Sequence, residues 1–102
     1  MSDVMAVFDF RGDTADLLAR YDVAVHRVVE IASGRPVVHL AIPRDYGVMV
    51  CDVWSDEAAM RRFTENPEIH RLFDDVGLPE PEIRVFPVHR LGWPVSELPL
   101  YR

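Results

Sequence analysis

Short apolar runs bounded by turn residues alternate along this chain with longer stretches in which apolar residues recur every three or four positions. Val4-Met5-Ala6-Val7-Phe8-Asp9-Phe10 reads as a first strand, broken by Arg11-Gly12. Asp13 is a suitable N-cap for a helix running to about Ala32. Leu17, Tyr21, Ala24, Val28 and Ala32 form its apolar stripe, flanked by Leu18, Val25 and Val29. Gly34 and Pro36 supply a stop. Val37 to Ile42 is a second strand, Pro43-Arg44-Asp45-Tyr46-Gly47 a turn, and Val48 to Trp54 a third strand. A second helix starts near Ser55, the expected cap, with Asp56 and Glu57 in a first turn whose dipole favours negative charge. Asn66-Pro67 interrupts it and starts a further segment with Ile69, Leu72, Phe73 and Val76 on one face, ended by Gly77. After the connector Leu78-Pro79-Glu80-Pro81, Ile83 to Leu91 is the fourth strand.

The order β-α-β-β-α-β predicts an α+β, ferredoxin-like domain over residues 1–91, with strands in the spatial order 4-1-3-2 of one antiparallel sheet. Residues 92–102 hold Trp93, Pro94, Val95, Leu98, Pro99, Leu100 and Tyr101. They read as an apolar, irregular C-terminal arm that docks on a surface, the partner subunit's being the obvious one.

Strand parity then places chemistry. If Pro43 pairs with Val48, opposed positions sum to 91, and His39 lies across from Asp52. An imidazole there can hydrogen-bond the carboxylate, which fixes its tautomer and raises its basicity. A loop one residue longer or shorter would put the two on opposite faces. Val48, Val50, Asp52 and Trp54 share one face of the third strand; Met49, Cys51 and Val53 share the other. The second set is wholly apolar and is expected against the helices. The first is then expected to look away from them, into an enclosed cavity formed by a dimer.

Those residues carry a resemblance. Asp52-Val53-Trp54-Ser55-Asp56-Glu57-Ala58, Phe63, and Val76-Gly77-Leu78-Pro79 with Val85-Phe86-Pro87-Val88-His89 resemble the dimeric α/β-barrel superfamily. The branch is the antibiotic-biosynthesis-monooxygenase-like one, and small actinobacterial members look closest. The resemblance spans about Met5 to Leu91 and implies a homodimer whose two sheets close a barrel. The superfamily includes cofactor-independent quinol monooxygenases, haem-degrading enzymes, isomerases and proteins without known activity. The haem-degrading members have a Trp at the place of Phe63, a haem-ligating His at that of Phe73, and an Asn on the first strand, where this chain has none.

The expected site has His39 as general acid or base, Asp52 as its partner, and Phe8, Val50, Trp54 and His89 around the substrate. The substrate class is a hydrophobic aromatic or polyketide-like small molecule. The reaction is a proton abstraction serving a cofactor-independent monooxygenase, an isomerase or a cyclase. Competing readings are a purely structural His–Asp pair, a non-catalytic binder of an apolar ligand, a haem protein using His39 or His89, and a two-His-one-carboxylate metal site with His89 from a partner. His26 and His70 are expected in solvent, Cys51 buried and inert, and Asp9 and Glu82 without evident partners.

Charge removes other classes. The 102 residues carry 17 acidic and 11 basic side chains, a net charge of -6, and every basic residue is Arg. No basic face is available for nucleic acid or an anionic membrane surface. Without Lys there is no Schiff base and no P-loop, and without a Gly-rich strand–helix turn no flavin or nicotinamide site, so no cofactor is expected. One cysteine allows neither an intramolecular disulfide nor a thiolate cluster. No apolar run approaches the roughly 18 residues of a membrane span and the N-terminus lacks a basic leader, so a cytoplasmic location is expected.

Overall fold

The computed structural model describes residues 3–92. The elements are β1 (Asp3–Arg11), α1 (Thr14–Ile31), β2 (Val38–Arg44), β3 (Gly47–Trp54), α2 (Glu57–Thr64), α3 (Pro67–Val76) and β4 (Glu82–Val88). They build one antiparallel sheet in the order β2-β3-β1-β4, as the sequence predicts. The expected C-terminal arm lies outside the described residues from Trp93 onward. Among the described residues, no helix is long and apolar enough to cross a membrane.

Local chemistry explains the boundaries. The Asp13 carboxylate accepts from the Asp16 amide at 3.0 Å and caps α1. That helix ends one turn short of Gly34, on an extended Ala32 whose amide still bonds Val28. Ser55 is not the cap of α2. Asp56 is, accepting from the Ala58 amide at 2.9 Å, because its carboxylate adds charge–dipole attraction to the same hydrogen bond. Asn66 caps α3 with Pro67 in its first turn, and Gly77 closes it at φ 86°. A Cβ on Gly77 would lie 1.9 Å from Arg20 Nη1, which donates to the Val76 carbonyl at 3.0 Å and so ties the end of α3 to α1.

The β2–β3 hairpin is tighter than expected, with only Asp45 and Tyr46 between the strands, yet its register is the predicted one: Pro43 opposes Val48 and His39 opposes Asp52. Gly47 makes the close turn possible. A Cβ there would sit 1.9 Å from the Phe10 carbonyl oxygen. Gly47→Ala should therefore destabilise the domain by more than about 1 kcal/mol, measured by urea denaturation; wild-type stability would contradict this packing.

The orientation of the sheet is a correction. Val4, Ala6, Phe8 and Phe10 of β1 and Val48, Val50 and Trp54 of β3 pack with Leu17, Ala24, Met60, Ile69 and Phe73 of the helices. The Asp52-bearing face thus meets the helices, and Met49, Cys51 and Val53 point away from them. Phe73 stands edge-on to Phe10 at 5.4 Å and to Phe8 at 6.4 Å, and Phe63 to Phe8 at 6.1 Å, an arrangement aromatic quadrupoles favour.

Candidate functional site

Between α1 and the sheet lies a cavity of about 300 Å³. Phe8, Phe10 and Val50 form its floor, Ala24, Val25 and Val28 of α1 its roof, and Phe63, Phe73 and Leu78 its inner walls. The linker Gly34-Arg35-Pro36 and the side chains of Tyr21, His39 and Asp52 complete the lining. The size is at the low end of small-molecule pockets, which run roughly 300–1,000 Å³. Apolar walls with a few convergent polar groups are the usual make-up of such sites.

Tyr21, His39 and Asp52 form one chain. The Asp52 side chain is 4% exposed, so its carboxylate needs a partner, and His39 Nδ1 lies 2.5 Å from its Oδ1. A carboxylate only accepts, so Nδ1 carries the proton in this bond. That leaves the lone pair on Nε2, which receives the hydroxyl of Tyr21 from α1. The Tyr21 and His39 rings are nearly parallel, 9° apart with centroids 5.9 Å from each other. The result is a continuous path Tyr21 O–H to His39 Nε2 and His39 Nδ1–H to Asp52.

Electrostatics follow from this geometry. The hydrogen bond to Asp52 raises the His39 pKa above the ordinary 6.5; partial burial opposes this, and the Asp52 charge adds to it. Burial raises the Tyr21 pKa, helped by the negative charges of Asp52 and Asp22, so the phenol holds its proton. Burial, then Asp52, also raises the Cys51 thiol, which keeps it a protonated, poor nucleophile.

Asp52→Asn should lower the His39 pKa, readable by NMR titration of the imidazole. Because the folded-state value is raised, the pair's stabilisation is fully present below pH 6.5 and is lost as pH rises through the folded value. The stability gap between wild type and Asp52→Asn should shrink in that direction. An unmoved titration would dissolve the pair.

Four expected site residues meet in this cavity: His39, Asp52, Phe8 and Val50. Trp54 does not line it. It is buried behind the cavity against Phe63, 5.4 Å between rings, with Nε1 lacking a hydrogen-bond partner. His89 follows β4, at the sheet edge opposite β2, and is exposed, so this chain does not bring it to the site. Among the described residues, no three His, Cys, Asp or Glu side chains group closely enough to hold a metal ion.

His70 is also a correction. It is not in free solvent but bonds Glu80 at 2.8 Å and the Thr64 carbonyl at 2.6 Å, joining the α2–α3 junction to the β4 connector. His26 is exposed, as expected. Asp9 has Arg11 at 3.6 Å on its own strand face. Tyr21 and Arg35 also line the site, where the sequence pattern does not place them. Tyr21 sits in the apolar stripe of α1, and its signal was the hydroxyl, which a half-buried phenol must satisfy.

No family model matches the chain, and no curated protein does. Among solved structures it is similar to SnoaB, a cofactor-independent oxygenase from Streptomyces nogalater: 20% identity, TM-score 0.64, covering 92% of this chain and 99% of that one. A point mutant of SnoaB superposes equally, at 22% identity and TM-score 0.64. A candidate antibiotic biosynthesis monooxygenase from Chloroflexus aurantiacus J-10-fl matches at 16% identity and TM-score 0.54, covering 89% and 98% of the two chains. The chain has the antibiotic-biosynthesis-monooxygenase-like fold. At these identities the likeness is one of architecture.

Proposed function

We propose that this chain is a cofactor-independent enzyme for a hydrophobic aromatic or polyketide-like small molecule, with His39, oriented by Asp52, as the base. The observation that carries the reading is the Asp52–His39–Tyr21 chain in a cavity whose other lining, Arg35 apart, is apolar. Such a cavity takes up a flat aromatic body, and the polar chain meets its one acidic group. Removing the proton of a phenol is general-base chemistry, and the electron-rich phenolate can then give an electron to dioxygen. For a phenol with an unsubstituted para carbon, one O–H and one C–H bond break. One atom of dioxygen joins the carbon to give a quinone, and the other leaves as water. The fold shared with a cofactor-independent oxygenase supports this version over an isomerase or cyclase by analogy. Haem ligation by His39 would require breaking one of the two bonds that occupy both its ring nitrogens.

The test is oxygen uptake with 1,5-dihydroxynaphthalene and no added metal or flavin. The expected result is accelerated uptake with one quinone formed per dioxygen and no hydrogen peroxide. Binding without accelerated uptake would make the chain a binding protein; no binding would reject the reading.

The chain is further proposed to work as a homodimer through the sheet face opposite the helices. Leu40 is 53% and Phe86 42% exposed there, beside Val38, Ile42 and Val88. Light scattering should give twice 11.7 kDa, and Leu40→Asp should shift the population towards monomer. A monomeric wild type at micromolar concentration would contradict it.

A further inference from the structure

We infer that Tyr21, and not His39, is the group that touches the substrate, and that its hydroxyl relays the substrate's proton to His39. This rests on the proposed base role of the His39–Asp52 pair and specifies how that pair is reached. The Asp52 carboxylate occupies Nδ1, so Nε2 is the only ring nitrogen with a lone pair to offer, and the Tyr21 hydroxyl already fills it. A substrate proton therefore has no direct path to the imidazole. The hydroxyl donates its one proton to Nε2 and keeps two acceptor lone pairs, on a side chain that lines the cavity.

A substrate phenol would donate its O–H to that oxygen. The transfer then balances in two coupled moves. The substrate O–H bond breaks and its proton bonds to the Tyr21 oxygen, while the Tyr21 O–H breaks and its proton bonds to Nε2. Tyr21 ends as it began, a neutral phenol. The substrate becomes a phenolate and His39 an imidazolium, whose positive charge lies against Asp52. No charge develops on Tyr21 itself, which suits a phenol that burial and two nearby carboxylates keep protonated.

The relay differs from a structural cap in a way that binding alone can read. Apolar walls disfavour an anion while Arg35 in the lining favours one, so the acidity gained from a coupled proton acceptor is read as the difference between wild type and variants that keep Arg35. The probe is 1-naphthol, un-ionised in water at pH 7, whose phenolate has its own absorption band. Its acid dissociation constant is measured in complex with wild type, Tyr21→Phe and His39→Gln. Wild type should raise that constant at least ~10-fold over water. Both variants should lose that gain. NMR of the His39 ring in Tyr21→Phe checks that the bond to Asp52 survives.

If Tyr21→Phe keeps or increases the gain while His39→Gln loses it, His39 takes the proton directly and the relay is wrong. If wild type itself weakens the naphthol's acidity or does not bind it, the His39–Asp52 reading fails first and the relay with it. Loss in both variants with the His39–Asp52 bond intact is the result the relay requires.

Discussion

His39→Gln is expected to lower kcat/KM for a phenolic substrate by about 10²- to 10⁴-fold while leaving the fold intact, the usual contribution of one general base. The amide can still donate to Asp52, so the buried carboxylate keeps a partner, but it cannot take up a proton at neutral pH. His39 sits on edge strand β2 with 37% of its side chain exposed, so its packing contributes little. His39→Ala should show the same kinetic loss with an added cost in stability, because Asp52 is left buried and unpaired. Steady-state oxygen uptake beside thermal denaturation separates the two effects. Near-wild-type turnover in both variants would leave the pair as a structural contact.

The largest effect on stability is expected at Phe73. Its ring is 7% exposed and stands perpendicular to both Phe8 and Phe10, joining α3 to the centre of β1. Phe73→Ala removes those edge contacts and leaves a void the helix cannot close over, at a cost of about 3–5 kcal/mol. A domain of this size is stable by roughly 5–15 kcal/mol, so the variant should be partly unfolded or close to it at 37 °C. Urea denaturation measures the difference, and Phe73→Leu should recover most of it. A loss below about 1 kcal/mol would mean that the cavity is not walled as described.

Several features of the fold were legible because short-range chemistry specifies them. Asn66-Pro67 starts a helix, Gly77 ends one, and the tight turn at Gly47 fixes the register that sets His39 opposite Asp52. Parity then says which residues share a face. It does not say which face the helices cover, and polarity could not decide. Each face carries one buried carboxylate, Asp52 on one and Asp9 on the other, among similarly apolar neighbours. The site was consequently expected in the space between two subunits, whereas the His39–Asp52 pair meets the cavity between sheet and helix within one chain. The role of Tyr21 is hidden in the sequence for a related reason. At helical spacing it counts as one more apolar position, and its link to His39 joins residues 18 apart through a helix-to-strand crossing that no local pattern records. Trp54 is a large residue on the right face, yet it packs against Phe63 and does not line the cavity.

The central claim is that the cavity under α1, with its Asp52–His39–Tyr21 chain, receives an aromatic substrate hydroxyl first. A crystal structure of the protein with 1,5-dihydroxynaphthalene, grown without oxygen, tests it most directly. The expected complex has the ring between Phe8, Val50 and Val28, with one hydroxyl within hydrogen-bond distance of Tyr21 Oη. A ligand bound instead on the sheet face opposite the helices, or in this cavity with its hydroxyls turned from Tyr21 and His39, would contradict it.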